Sequence, residues 1–252
     1  MNFTAFLTRY PLLTAFLIWM TLLLALILAV VIRITLHLPV YRYQVIADVT
    51  MLVISAGLLS SLGWWKRIGF WNPGSLKDIP LYIPLILLLV FIYSVKSTNL
   101  TEYTYISLMG LAILVGFTEE LFFRGLLLES LLPMGILRAV LLSSVLFGLP
   151  HLLKVTSGIW DPYFAIAATL FATGIGICFA ALRIRTGTIW PLIGIHILID
   201  YNAFIRGGLE IQTGSIGTIL WDLAIGGILA IYGLYLVRKE VTVKGVVPMR
   251  GN

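Results

Sequence analysis

Cysteine is almost missing from this chain: Cys178 stands alone, which excludes an intramolecular disulfide and a cysteine-rich metal site. Charge is nearly as scarce. Only 11% of the 252 residues are Asp, Glu, Lys or Arg, against about 25% in an ordinary soluble domain. Low-complexity tracts and convincing internal repeats are also missing, so a repeat array is not expected. With so few charges, the formal net charge of +6 needs no nucleic acid to explain it, because basic loops facing anionic lipid give the same balance.

What fills the chain is apolar. Hydrophobic residues make up 60% and mean hydropathy is +1.03, values that point to an integral membrane protein. Apolar runs long enough to cross a ~30 Å hydrocarbon core as helix recur between short segments containing Arg, Lys, Pro or Gly. The expected fold is all-α, a polytopic bundle of about eight helices near 12–32, 44–63, 79–96, 104–131, 136–155, 162–183, 187–204 and 217–237. Short loops imply one membrane domain over 1–252. The first run exceeds a signal-peptide core and lacks a small-residue cleavage site, so it is expected to stay as an anchor.

An even number of spans puts both termini on one side. That side collects Arg9, Lys66, Arg67, Lys77, Arg138, Arg183, Arg185, Arg238, Lys239, Lys244 and Arg250, against Arg33, Arg42, Lys96, Lys154 and Arg206 opposite. Basic loops face the cytoplasm, so both termini are expected there, in a multi-pass cell-membrane protein. The stretch from Trp64 to Trp71, WWKRIGFW, fits an interfacial segment with Lys66 and Arg67 in water.

Against this background a few ionisable residues inside the spans need a reason. Glu119 and Glu120 are neighbours, about 100° apart around a helix, and so face different surroundings. Glu120 and Arg124 are four apart and form a candidate buried ion pair. Glu119 is left without a local partner and is a candidate general base. In the fifth span Phe147 and His151 share a face, with Pro150 between them to loosen the helix; in the seventh, His196 and Asp200 repeat the four-residue spacing. Counted from the cytoplasmic span ends, Glu119, His151, His196 and Asp200 lie at some ~13–20 Å depth and can share one layer. Two histidines and free carboxylates meeting there are the parts of a hydrolytic site, nearer the cytoplasmic surface. His37, in a polar connection, and Asp48 and Asp222, near expected span ends, are left out of it.

These residues carry a family resemblance. Glu119-Glu120-Leu121-Phe122-Phe123-Arg124, Phe147-Gly148-Leu149-Pro150-His151 and His196-Ile197-Leu198-Ile199-Asp200 resemble the three ordered motifs of the CPBP, or Abi, intramembrane proteases, which include the type II CAAX prenyl endopeptidases. The resemblance covers roughly Gly110 to Phe204, within a catalytic core expected at about 104–204. It implies peptide-bond hydrolysis in a membrane-associated or prenylated substrate: Glu119 with His151 activating water, His196 with Asp200 stabilising the oxyanion, and Glu120, Arg124 and Phe147 in support. The last motif position is commonly Asn in the family. Asp200 fills the oxyanion role only if protonated, and otherwise orients His196.

No cofactor is expected, but zinc held by Glu119, His151 and His196 is a second reading of the same residues, although a local HExxH is lacking. Two other functions compete: an immunity or scaffold protein of the same family in which cleavage is dispensable, and a transporter, which would be expected to show two related halves.

Overall fold

The computed structural model describes residues 9–95, 103–156, 158, 160–207, 209 and 214–244. Lys96 and Arg250 of the charge count lie outside these, as do the side chains of Lys239 and Lys244.

Every regular element among the described residues is helical. α1 (Pro11–Thr35) and α2 (Val40–Leu62) lead to a 3₁₀ segment (Leu76–Tyr82) that continues into α3 (Ile83–Ser94). α4 (Tyr105–Glu120) passes into a π-helical stretch (Leu121–Leu127), then α5 (Leu128–Leu131) and a 3₁₀ turn (Leu132–Met134). α6 (Ile136–Gly148) ends in a 3₁₀ turn (Leu149–Leu152) and the single turn α7 (Leu153–Thr156), followed by α8 (Pro162–Thr186), α9 (Trp190–Ile205) and α10 (Ile216–Lys244). Seven of the eight expected spans are helices long and apolar enough to cross a membrane. The eighth, α9, has 16 residues and is about 24 Å long, short of a full hydrocarbon core.

α8 is the centre of the bundle. Its most apolar window is 78% buried, against 22% for α10 and 28% for α1. Its sequence explains why: between Ala165 and Ala181 small residues recur on every face, so neighbours approach closely, the packing mode available to helices in lipid. A Cβ on Gly174 would stand 2.1 Å from the Gly226 carbonyl oxygen of α10. α9 is drawn against α4 in the same way, since a Cβ on Gly116 would meet the Ile197 backbone nitrogen at 3.0 Å. α9 is also tied to α3, where Tyr93 Oη donates to the Leu198 carbonyl at 2.9 Å and Arg206 Nη2 to that of Ile92 at the same distance.

The WWKRIGFW stretch departs from a simple interfacial segment. Lys66 and Arg67 are exposed, but Trp64 and Ile68 are buried in the core, and Arg67 pairs with Glu129 at 3.1 Å. Its turn is clasped to the α8–α9 connection: Asn72 Nδ2 donates to the Gly187 carbonyl at 3.1 Å, and Trp190 Nε1 to that of Phe70 at 2.7 Å. At the other end, Asp161 caps α8 by accepting from the Tyr163 and Phe164 amides, while its second oxygen accepts from Gly214 N at 2.7 Å. The Gly214 bond and the cap hold this carboxyl below its ordinary value. The clasp is therefore intact above the unfolded value near ~4 and weakens as pH falls through the lower folded one.

Asp48 is not at a wet helix end. α2 begins four residues earlier than the apolar pattern suggests, and Asp48 is buried, accepting from Gln44 Nε2 at 2.8 Å. Lys154, counted above as a loop charge, sits in α7 and faces inward, onto the cavity described next.

Candidate active site

The last turn of α4 sets the site. Glu119 and Glu120 do diverge, as their spacing requires. Glu120 is completely buried, whereas the Glu119 side chain keeps 22% exposure. Directly after them the hydrogen-bond ladder shifts to i→i+5 over Leu121–Leu127, every residue of which is buried. Such π stretches cost hydrogen-bond quality and concentrate at functional sites; nothing in the apolar pattern distinguishes this one from α-helix.

Within that stretch Arg124 turns back onto Glu120, Nη1 to Oε1 at 2.8 Å. Its guanidinium lies 4.2 Å from the Phe147 ring centre and 5.1 Å from that of Phe179, so a buried cation is matched by one carboxylate and two aromatic faces. The same Glu120 oxygen contacts His196 Nδ1 of α9 at 2.8 Å. A carboxylate only accepts, so Nδ1 carries the proton and Nε2 is turned the other way. There it meets Glu119 Oε2 at 3.6 Å and Asp200 Oδ2 at 3.5 Å. One imidazole thus bridges the two glutamates. Glu119 has a neighbour after all, brought from α9 rather than from its own helix.

His151 comes from the break in the fifth span. α6 ends at Gly148 and gives way around Pro150 to a 3₁₀ turn, which places His151 Nδ1 at 3.1 Å from the Gly148 carbonyl. A carbonyl also only accepts, which leaves His151 Nε2 as the ring's acceptor. Phe147 packs edge-on against both imidazoles, 5.9 Å from His151 and 6.1 Å from His196.

All four expected catalytic residues, together with Arg124 and Phe147, line one cavity of about 160 Å³, room for several waters. Gln44, Lys154 and aliphatic side chains such as Leu26 and Ile175 complete its wall. Among the described residues no three His, Cys, Asp or Glu side chains are grouped as metal ligands. In the zinc set Glu119, His151 and His196, His196 donates Nδ1–H to Glu120 and turns Nε2 toward Glu119 and Asp200.

Gln44, Asp48 and Lys154 escaped the sequence reading. Lys154 could have been found, because it follows His151 by three residues and so shares its helical face. The Gln44–Asp48 spacing was equally visible, but an error in the helix start hid its depth.

A family model described as type II CAAX prenyl endopeptidase Rce1-like matches residues 101–202. Over that segment the chain is similar to that family. No curated protein and no solved structure matches the chain. The matched segment contains Glu119, Glu120, Arg124, Phe147, His151, Lys154, His196 and Asp200, while Gln44 and Leu26 of the cavity wall lie outside it.

The Glu120–Arg124 pair yields a stability prediction. Arg124→Ala leaves a carboxylate buried beside His196 without its cation, and should cost roughly 3–5 kcal/mol. Thermal melting in detergent should fall together with activity. A variant that melts like the parent yet is inactive would show that Arg124 acts in the chemistry instead of holding Glu120.

Proposed function

We propose that this protein is an intramembrane endopeptidase that hydrolyses a peptide bond in a membrane-associated or prenylated substrate with a glutamate-activated water. One observation carries the reading: Glu119, Asp200 and the outward nitrogen of His196 converge within 3.6 Å in a cavity shared with His151. Glu119 is the base. It takes a proton from a water held jointly with His151 Nε2, and the hydroxide adds to the scissile carbonyl. The charge that develops on the carbonyl oxygen is met by His196 in its imidazolium form, in which Nε2 carries a proton as well as Nδ1, and by Asp200 in its protonated, donating form. Glu119 then returns the proton to the leaving amine. Glu120 fixes His196 through Nδ1, so Asp200, which lies at Nε2, is not needed to orient the ring. No step requires a metal.

We place both termini in the cytoplasm, because the terminal side carries the larger share of Lys and Arg.

Glu119→Gln keeps the size of the side chain and removes the base. It should lower turnover of a prenylated peptide by about 10²–10⁴-fold while the protein still folds, and dialysis of the parent against a strong chelator should leave its rate unchanged. Near-normal cleavage by the variant would rule out this mechanism; loss on chelation with recovery on adding zinc would favour a metalloprotease.

Asp200→Asn tests the oxyanion role separately. An amide donates at any pH, so the variant should match or exceed the parent and lose any fall in rate that the parent shows as pH rises. An Asn variant slower at every pH, by about tenfold for a loss near 1.4 kcal/mol, would mean that Asp200 works as an anion.

A further inference from the structure

α1 lies outside the segment that matches the family model, yet it reaches the hydrolytic site at two points. Leu26 stands on the cavity wall. Seven residues earlier, and so on nearly the same face of the helix, Trp19 donates from Nε1 to the Leu146 carbonyl of α6 at 2.9 Å. That carbonyl is the one its own helix cannot serve. The ladder of α6 runs as far as the Leu149 amide, which bonds to Val145. The next donor, four residues beyond Leu146, would be the amide of residue 150, and Pro150 has none. The proline ring also crowds the carbonyl four residues before it, so the helix opens at this point.

An opened carbonyl inside a membrane bundle needs a donor from the protein, since water does not reach the hydrocarbon region. Trp19 is about 12 Å from the start of α1, deeper than the headgroup level at which tryptophan ordinarily collects. Its indole packs half-buried against the main core, where the N–H in turn requires an acceptor. One bond between α1 and α6 satisfies both groups.

The consequence falls on His151. The bonded carbonyl belongs to the last turn of α6, directly before the 3₁₀ turn Leu149–Leu152, and that turn sets the imidazole by holding Nδ1 at 3.1 Å from the Gly148 carbonyl. Phe147, next to Leu146, packs on His151 and covers Arg124. A donor at Leu146 therefore fixes the backbone from which both side chains enter the cavity.

We propose that Trp19 is a positioning residue of the site, its indole supplying the hydrogen bond that Pro150 removes from α6 and so holding the break that presents His151. Trp19 acts through the backbone and touches no reacting atom. Its effect on rate rests on the endopeptidase reading above, whereas its effect on the His151 ring does not.

Two replacements remove the N–H: Trp19→Phe, and Trp19→benzothienylalanine, which keeps the bicyclic shape with sulfur in place of N–H. With protein in detergent and a farnesylated peptide, each should lower kcat by about tenfold to 10²-fold, the scale expected of a displaced catalytic group, and leave KM nearly unchanged. In ¹⁵N-histidine spectra the His151 Nδ1–H signal should shift or broaden in both, while His196, held by Glu120, and His37, beyond the far end of α1, keep theirs. The analogue keeps the test decisive if the phenylalanine variant does not fold. Variants that melt at a lower temperature, yet keep full kcat per folded molecule and an unmoved His151 signal, would overturn the proposal, because Trp19 would then only pack α1 on the bundle. A His196 signal that moves as far as that of His151 would overturn it too, showing a bundle loosened as a whole. If the folded parent cuts no peptide, the endopeptidase reading falls, and the His151 spectrum still decides whether Trp19 holds the turn.

Discussion

One carboxylate oxygen, Oε1 of Glu120, accepts from Arg124 and from His196, each at 2.8 Å. Glu120 is wholly buried in an apolar bundle, where an isolated carboxylate would cost several kcal/mol. The cost is offset by bringing two donors to it, one from the π stretch that continues its own helix and one from α9. Both carry further consequences. Arg124 must be covered, which Phe147 and Phe179 do, and Phe147 then reaches both imidazoles. His196 must present Nδ1 inward, so Nε2 is left for Glu119 and Asp200. The arrangement of the cavity follows from the way this one charge is satisfied.

Packing holds the two donors in register. α4 and α9 come together at Gly116, and α9 is pinned from its other side by hydrogen bonds from Tyr93 and to Ile92. The central α8 supplies Phe179 and is itself set by small residues against α10. Glycine serves here as a spacing element for helices whose side chains gain little from leaving lipid.

Hydropathy and spacing made much of this legible before any coordinates. The helix positions followed from runs of apolar residues, and the pairs Glu120–Arg124, Phe147–His151 and His196–Asp200 followed from the four-residue repeat, which is a local property of helix. What stayed hidden was non-local. That His196 would reach Glu120 rather than depend on Asp200 for its orientation is decided by how α9 leans on α4, and no spacing within one helix encodes it. The π stretch was invisible because its residues are as apolar as their α-helical neighbours. Asp48 was misplaced for a simpler reason: Tyr41, Arg42 and Gln44 dilute the apolar signal at the start of α2, so the helix was begun too late and a buried acid looked like a surface one.

The central claim is that Glu120 holds His196 with its proton on Nδ1. The chain has three histidines, His37, His151 and His196, so ¹⁵N-histidine spectra of the protein in detergent can be assigned by single replacements. The account predicts a His196 Nδ1–H proton that is strongly deshielded and slow to exchange, and that loses both properties in Glu120→Ala. A His196 ring with a bare Nδ1 and its proton on Nε2 alone, or one whose signal is indifferent to Glu120, would contradict it.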